Sequence, residues 1–196
     1  MIAFGPAVWD RMVIAVEKVR DRLYRATKAL EDANVPYAVT GGNAVAAWVA
    51  RVDPAAVRNT QDVDILLRKT DLPNAILAME SAGFIYRHSA GIDMFLDGVG
   101  AKARDAVHVL AAGVKVRAEY DLPAADVDEF EASEDGKYRH VNLDALVRMK
   151  LTSFRDKDRT HIRDLMSVGL VDHSWLTRVD LVLAPRLKQI LDDPDG

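Results

Sequence analysis

The chain has 196 residues, of which 49% are hydrophobic and 29% are charged, so its length and apolar content suit about one compact domain and exclude wholesale disorder. Its net charge of −4 disfavours a general polyanion binder, and the absence of cysteine excludes disulfides, cysteine-bound zinc and thiol nucleophiles. The longest apolar run, residues 44–50, is too short for a membrane helix, and the N-terminus lacks the pattern of a signal peptide. We therefore expect a soluble, cytoplasmic protein with no membrane partner.

The first half of the chain predicts a long helix followed by alternating strands and helices. Apolar residues recur at three- and four-residue steps between Pro6 and Ala33, which is typical of an amphipathic helix that ends before Pro36. The apolar stripe consists of Trp9, Met12, Val13, Val16, Val19, Leu23, Ala26 and Leu30. The elements predicted next are a strand over 37–40, a helix over 43–52, a strand over 62–67, and a helix capped by Asp71 and closed by Gly83.

The second half changes from strands to helices. We predict strands over 84–86, 94–96, 107–110 and 114–117, with turns at 97–98 and 112–113. Residues 122–136 are acidic and contain a proline, so we expect a loop or linker there. Helices are predicted over 143–154 with Asn142 as cap, over 160–168, and from Pro185 onward. The sequence thus predicts an α+β fold with an N-terminal helix (1–33), an α/β core (34–125) and a C-terminal helical subdomain (126–196).

Two adjacent glycines, Gly41 and Gly42, stand between a predicted strand and a predicted helix. Glycine permits a tight turn and a close approach of the backbone to another group. The N-terminus of the following helix offers free N–H groups and a positive dipole end to an anion. The pattern fits a phosphate-binding turn, and it also fits an ordinary connection between a strand and a helix.

Two carboxylates lie at the start of the second predicted strand. Because side chains alternate along a strand, Asp62 and Asp64 point to the same face. Two such carboxylates repel each other unless a cation lies between them, and Mg²⁺ prefers carboxylate oxygens together with waters and phosphates. The pair is a candidate metal site; the alternative is a strand that begins with acidic residues by chance.

The C-terminal helices carry a locally positive stretch in an otherwise acidic protein. Residues 148–164 contain six Lys or Arg and three Asp. Such a stretch can hold a triphosphate, or it can be a solvated helix face with ion pairs between neighbouring turns. His161 lies between Arg159 and Arg163, and we expect it at the surface.

The three features together resemble the nucleotidyltransferase superfamily of the polymerase-β type. The segment TGGNAVAAW followed by RNTQDVDILL is similar to its Gly-Gly or Gly-Ser signature and D-x-D pair. The segment DALVRMKLTSFRDKDRTHIRDLM is similar to the C-terminal signature of the minimal nucleotidyltransferases related to the AbiEii/MenT toxins. The resemblance covers residues 39–169 and implies a mixed β-sheet flanked by helices, a C-terminal helical part, an NTP substrate and Mg²⁺ or Mn²⁺ as cofactor.

The resemblance also implies a role for each matching residue. Lys150 would contact the triphosphate, and Asp158 or Asp164 would match the acid of the C-terminal signature. The implied nucleotide-binding residues are Gly41, Gly42, Asn43, Arg58, Thr60 and Arg155. The implied catalytic residues are Asp62, Asp64, Lys150, Asp158 and Asp164, of which the first two also bind metal.

A third metal-binding carboxylate is usual in this superfamily and comes from a later strand. Asp105 is the natural candidate in this sequence, at the edge of the predicted strand. The position deeper in that strand is His108, which could be a metal ligand, a base or a structural histidine. Glu119 and Asp121 are further alternatives. If none of them binds metal, the site keeps two carboxylates and weak or lost activity is expected.

These observations favour a metal-dependent nucleotidyltransferase that moves an NMP from an NTP to an RNA, a protein or a small molecule. A toxin-type role with a cognate antitoxin follows from the resemblance alone. One alternative is a catalytically degenerate protein that binds a nucleotide or a partner through the same cleft. Another is an interaction module that docks through its terminal helices.

Overall fold

The computed structural model describes residues 6–195, which form one seven-stranded sheet flanked by helices. The strands are β1 (Ala38–Thr40), β2 (Val63–Leu67), β3 (Ile85–Ser89), β4 (Ile92–Leu96), β5 (Ala106–Ala111), β6 (Phe130–Ala132) and β7 (Arg139–Val141). The helices are α1 (Pro6–Asp32), α2 (Gly41–Ala50), α3 (Leu72–Ser81), α4 (Leu143–Ser153), α5 (Asp156–Ser167) and α6 (Ala184–Asp192). The predicted α+β class is confirmed. Among the described helices, none is both long and apolar enough to cross a membrane.

The strand order across the sheet is β3-β4-β5-β2-β1-β7-β6. Strand β1 runs antiparallel to β2 and parallel to β7, whereas β2 runs parallel to β5. Thr40 lies opposite Asp64, and Asp64 lies opposite His108. This register places the end of β1, the second carboxylate of the D-x-D pair and the histidine of β5 in one row across the centre of the sheet.

Hydrophobic side chains cover both faces of the sheet. On one face, α1 and α3 pack against alternate residues of β2, including the buried Ile65 and Leu67. On the other face, α2, α4, α5 and α6 form a second core that includes Leu66. Because side chains alternate along a strand, Asp64 projects from the same face as Leu66, towards α2 and the C-terminal helices.

The N-terminal helix forms as predicted, but only half of its apolar stripe is covered. Leu23, Ala26 and Leu30 are buried against the sheet, whereas Trp9 and Met12 are exposed. The same sequence pattern thus leaves an apolar surface on the first turns of α1.

The middle of the chain differs from the prediction in three respects. Residues 114–117 are not a strand: Val114 and Val116 stay exposed, and the segment's backbone accepts one hydrogen bond at Val114 from the Ala124 amide and one turn bond at Arg117 from the Tyr120 amide. The predicted loop over 122–136 contains β6, a three-residue strand whose residues are all exposed. The tight turn between β3 and β4 lies at Ala90 and Gly91, both with positive φ, and was not predicted.

Smaller corrections concern the helix ends. Asp71 precedes α3 as predicted, but its side chain makes no capping hydrogen bond. Asn142 does cap α4, accepting a hydrogen bond from the Ala145 amide at 2.9 Å. Helix α5 begins four residues earlier than predicted, at Asp156. The division into three parts stays a prediction; β6 and β7 lie beyond residue 126 and pair within the same sheet.

Candidate functional site

The Gly-Gly turn brings a helix N-terminus against the D-x-D pair. Gly41 begins α2 with a φ of +66°, a conformation that glycine adopts readily. A Cβ atom at this position would lie 2.1 Å from Oδ2 of Asp64, so only glycine leaves room for that carboxylate. The backbone at the start of α2 therefore touches the acid directly.

The second glycine and its neighbour fix the segment that leads into β2. A Cβ atom on Gly42 would lie 2.7 Å from Oγ1 of Thr60. The amide nitrogen of the Asn43 side chain donates a hydrogen bond to the carbonyl oxygen of Asp62 at 2.7 Å. The predicted residues Gly41, Gly42, Asn43, Thr60, Asp62 and Asp64 are thus gathered around one helix end.

The two carboxylates have different partners. Asp62 accepts a hydrogen bond from Nζ of Lys157 at 3.2 Å, whereas Oδ1 of Asp64 lies 3.8 Å from Nδ1 of His108. Burial raises the pKa of Asp64 above its usual range, against the opposing positive charges of Lys150 and Lys157. A bound cation would stabilise the ionised form of this carboxylate, so the two acids and the histidine are a donor set that suits a divalent ion. No group of three or more His, Asp or Glu side chains in residues 6–195 is already gathered in metal-binding geometry.

A buried ion pair connects α4 and α5 behind this site. Nζ of Lys150 donates a hydrogen bond to Oδ1 of Asp158 at 3.1 Å, and their side chains are 8% and 0% exposed. Arg155 and Ser153 donate to the other oxygen of Asp158. Burial alone would raise the pKa of Asp158, but the hydrogen bond from Arg155 and the charge of Lys150 outweigh it and lower this pKa to about 2.

The same arrangement acts on the lysine. Burial lowers the pKa of Lys150, and the charge and hydrogen bond of Asp158 oppose this effect. The nearby charge of Asp64 also favours the ammonium form. Lys150 is therefore paired with Asp158, feels the charge of Asp64, and has little access to solvent.

Asp164, the other predicted acid of the C-terminal signature, pairs with Arg58, a predicted nucleotide-binding residue. The guanidinium of Arg58 donates to both oxygens of Asp164 at distances of 3.0 to 3.2 Å. Asp164 is largely buried, and Arg58 is mostly exposed. The pair lies beside the D-x-D segment, although the two residues are 106 positions apart in the chain.

A cavity of about 400 Å³ lies where α2, the segment before β2 and α5 meet. The predicted site residues Gly42, Arg58, Thr60, Asp62 and Asp164 line this cavity. The other lining residues are Val45, Ala46, Val49, Asn59, Gln61, Lys157, Thr160 and His161. It has one apolar wall from α2 and one charged wall from α5.

Two residues of this cavity were missed. Lys157 was one of six basic residues in its stretch, and no sequence signal distinguished it as the partner of Asp62. His161 was expected at the surface, and that expectation is wrong: it is 7% exposed, and its buried Nδ1 has no hydrogen-bond partner. Burial, together with the charges of Lys150 and Lys157, lowers the pKa of His161 to about 3.

The candidates for a third carboxylate each lie beside an arginine. Asp105 ends a 3₁₀ turn just before β5, and its carboxylate is 3.8 Å from Arg104. Glu119 lies 3.8 Å from Arg117, and Asp121 lies 2.8 Å from Arg186. The side chain that the sheet register places beside Asp64 is His108.

Several solved structures are similar to this chain. The solution structure of the antibiotic-resistance factor ANT(2'')-Ia is 13% identical with a TM-score of 0.52, and the match covers 92% of each chain. The crystal structure of ANT(2'')-Ia in complex with adenylyl-2''-tobramycin is 17% identical with a TM-score of 0.54, covering 84% of this chain and 94% of that one. An antigenic nucleotidyltransferase-like protein from Paracoccidioides brasiliensis is 18% identical with a TM-score of 0.55, covering 91% and 90%.

At these identities the likeness shows the fold alone. The chain has the nucleotidyltransferase-type fold, and the predicted mixed sheet with flanking helices and a C-terminal helical part is confirmed. No protein-family model matches the sequence, and no curated protein sequence matches it.

Proposed function

We propose that this protein is a metal-dependent nucleotidyltransferase that moves an NMP from an NTP to an acceptor hydroxyl group. The observation that carries the proposal is the contact between Gly41 and Asp64, which joins a helix N-terminus to the acid of a D-x-D pair. A helix N-terminus binds phosphate oxygens through free N–H groups, and adjacent carboxylates bind the cation that accompanies a triphosphate. The nucleotidyltransferase-type fold supports the same function.

The charged groups around this contact fit the chemistry. The start of α2 orients the phosphates, and Asp62 and Asp64 hold the divalent ion. A metal ion in such a site polarises the α-phosphate and neutralises the charge that develops on the leaving pyrophosphate. Lys157 lies beside Asp62 at the mouth of the cavity and supplies further positive charge there. Lys150 and Arg155, which both donate hydrogen bonds to Asp158, add positive charge on the α4–α5 side of the site.

The acceptor is proposed to be a small molecule. The similar structure of ANT(2'')-Ia contains an adenylylated aminoglycoside, and the net charge of −4 of this chain disfavours RNA. RNA and protein acceptors are the other outcomes of the same assay. The toxin-type role and a cognate antitoxin partner belong to the proposal as well, and the resemblance to the AbiEii/MenT signature supports these two. A cytoplasmic location is proposed from the composition of the chain. Growth arrest on expression, absent for Asp64→Asn, tests the toxin role.

A label-transfer assay tests the function. The protein is incubated with each of the four α-labelled NTPs and with Mg²⁺ or Mn²⁺, in the presence of aminoglycosides, cellular RNA or cellular protein. Asp62→Asn and Asp64→Asn keep the shape of each side chain and remove its charge, so transfer is expected to fall at least 100-fold without unfolding. The control is Asp192→Asn, an exposed acid of α6 that pairs with Lys188. Unchanged transfer by either site variant contradicts the proposal.

A second candidate is a degenerate relative that binds nucleotides without turnover. The specific observation in its favour is that His108 stands beside Asp64 where the resemblance leads us to expect an acid. Calorimetry with an NTP and Mg²⁺ or Mn²⁺ separates the two functions. Binding without label transfer to any acceptor class favours the second.

A further inference from the structure

The sheet register makes His108 the side-chain neighbour of Asp64. Strands β2 and β5 run parallel, and these two residues lie opposite each other. Nδ1 of the histidine is 3.8 Å from Oδ1 of the acid, and the two side chains have nearly equal exposure, 24% and 23%. Both side chains are therefore partly exposed on the same face of the sheet, held by adjacent central strands.

This separation suits two ligands of one cation. A metal ion that lies about 2.1 Å from each ligand can join two donor atoms that are between roughly 3 and 4 Å apart. Gly41 packs against the other oxygen of Asp64 and limits the directions in which the carboxylate can turn. The nitrogen and the oxygen thus lie at a separation that one ion can bridge.

The other acids near the site already have cationic partners. Asp62 is 3.2 Å from Nζ of Lys157, and an ion that recruits Asp62 must first displace that lysine. The three candidates for a third carboxylate, Asp105, Glu119 and Asp121, each lie beside an arginine. Of the metal-binding side chains near Asp64, His108 is the one in position.

We propose that Asp64 and His108 together bind the metal ion of this site, and that the nitrogen ligand gives the site a preference for Mn²⁺ over Mg²⁺. The inference rests on the proposed function, because that function is the reason to expect a metal ion. Mg²⁺ prefers an all-oxygen shell, whereas imidazole nitrogen suits first-row transition metals. A histidine in place of the third carboxylate thus shifts the preference of the site from Mg²⁺ towards Mn²⁺. When the phosphates of a bound NTP pair with Lys157 instead, the side chain of Asp62 becomes free to bind the ion as well.

Electron spin echo spectroscopy of bound Mn²⁺ tests the inference without turnover. The protein is loaded with Mn²⁺ alone, in the absence of nucleotide, and examined for modulation by a directly coordinated ¹⁴N nucleus. We expect this modulation in the wild type and its loss in His108→Asp. The control is His88→Asn, since His88 is an exposed histidine paired with Asp93 at the edge of the sheet. In this control variant the nitrogen signal stays.

Calorimetric titration supplies the second readout. His108→Asp restores an all-oxygen donor set and is expected to lower the ratio of Mn²⁺ to Mg²⁺ affinity at least tenfold. Asp64→Asn is expected to lower the affinity for both ions. The inference is overturned if Mn²⁺ does not bind, if it binds without nitrogen coupling, or if the coupling survives in His108→Asp.

The two proposals fail in different ways. Label transfer with Mg²⁺ by a wild type that shows no nitrogen coupling overturns the role of His108 and leaves the nucleotidyltransferase function standing. Nitrogen-coordinated Mn²⁺ in a protein that transfers no label supports the metal site and contradicts the enzyme function.

Discussion

The carboxylate of Asp64 lies against the bare backbone of Gly41, and a methyl group at this glycine would stand 2.1 Å from Oδ2 of the acid. The contact joins two segments that are both short and both at the centre of the sheet: the end of β1 and the start of β2. It also predicts that a single methyl group added at Gly41 will damage function more than stability.

Gly41→Ala is compared with Gly83→Ala. Both glycines have positive φ, so each alanine costs about 1–2 kcal/mol of stability. At Gly83 the added Cβ meets open space, whereas at Gly41 it pushes the side chain of Asp64 out of its place. Urea unfolding should therefore show a loss for both variants, larger for Gly41→Ala because the clash with Asp64 adds to the conformational cost, and label transfer should fall at least tenfold for Gly41→Ala alone. Equal activity of the two variants would contradict the role given to this contact.

The buried pair of Lys150 and Asp158 predicts a large loss of stability when one charge is removed. Asp158→Asn leaves the ammonium group buried without its counter-charge, which costs about 3–5 kcal/mol. The double variant Lys150→Met/Asp158→Leu removes both charges and should recover most of that loss. Denaturant unfolding at pH 7 measures both variants, with Asp192→Asn as a surface control that changes the free energy of unfolding by less than about 0.5 kcal/mol. A double variant as unstable as the single one would show that the pair itself contributes strongly.

His161 predicts an acid-sensitive component of folding stability. Burial lowers its pKa from 6.5 to about 3. Between these two pH values the ring is protonated in the unfolded chain and neutral in the folded protein. The stability contributed by the neutral ring is fully present above pH 6.5 and is lost as the pH falls towards 3. The slope approaches about 1.4 kcal/mol per pH unit in this window.

The measurement is urea unfolding of the wild type and of His161→Gln at pH 7, 5.5 and 4.5. The difference between the two proteins should shrink as the pH falls, because the variant lacks the group that titrates. His173→Gln, a substitution at an exposed histidine, serves as the control and should follow the wild type at every pH. A constant difference between His161→Gln and the wild type would be evidence against a neutral, buried ring.

Alternation along the strand was enough to place Asp62 and Asp64 at one site, and the two glycines were enough to place a helix N-terminus near them. These are local patterns, and the structure has them within a residue or two of the predicted positions. The partner of each acid could not be predicted in the same way. Lys157 reaches Asp62 across 95 positions, and this depends on how α5 packs against α2.

The same limit explains the error at His161. Its neighbours in sequence are charged, which predicts a solvated helix face. In the fold, Asp158 and Asp164 lie on the same side of α5, and each is buried because a distant base, Lys150 or Arg58, compensates its charge. The buried face of this helix is therefore partly polar, and a hydrophobic pattern cannot mark it. Strand β6 was missed for the related reason that its three residues are exposed.

Lys157 predicts opposite effects on the metal ion and on the nucleotide. Its ammonium group is 3.2 Å from Asp62, so it competes with a cation for that carboxylate. An exposed pair at this distance is worth roughly 1 kcal/mol, and Lys157→Met should therefore raise the affinity for Mn²⁺ by about fivefold. The same variant should lower label transfer at least tenfold, because the cavity loses a positive charge that stabilises the triphosphate. Calorimetry and the transfer assay measure the two effects, with Lys188→Met, which breaks an exposed pair on α6, as the control. If Lys157→Met weakens Mn²⁺ binding, the lysine supports the metal site and does not compete with it.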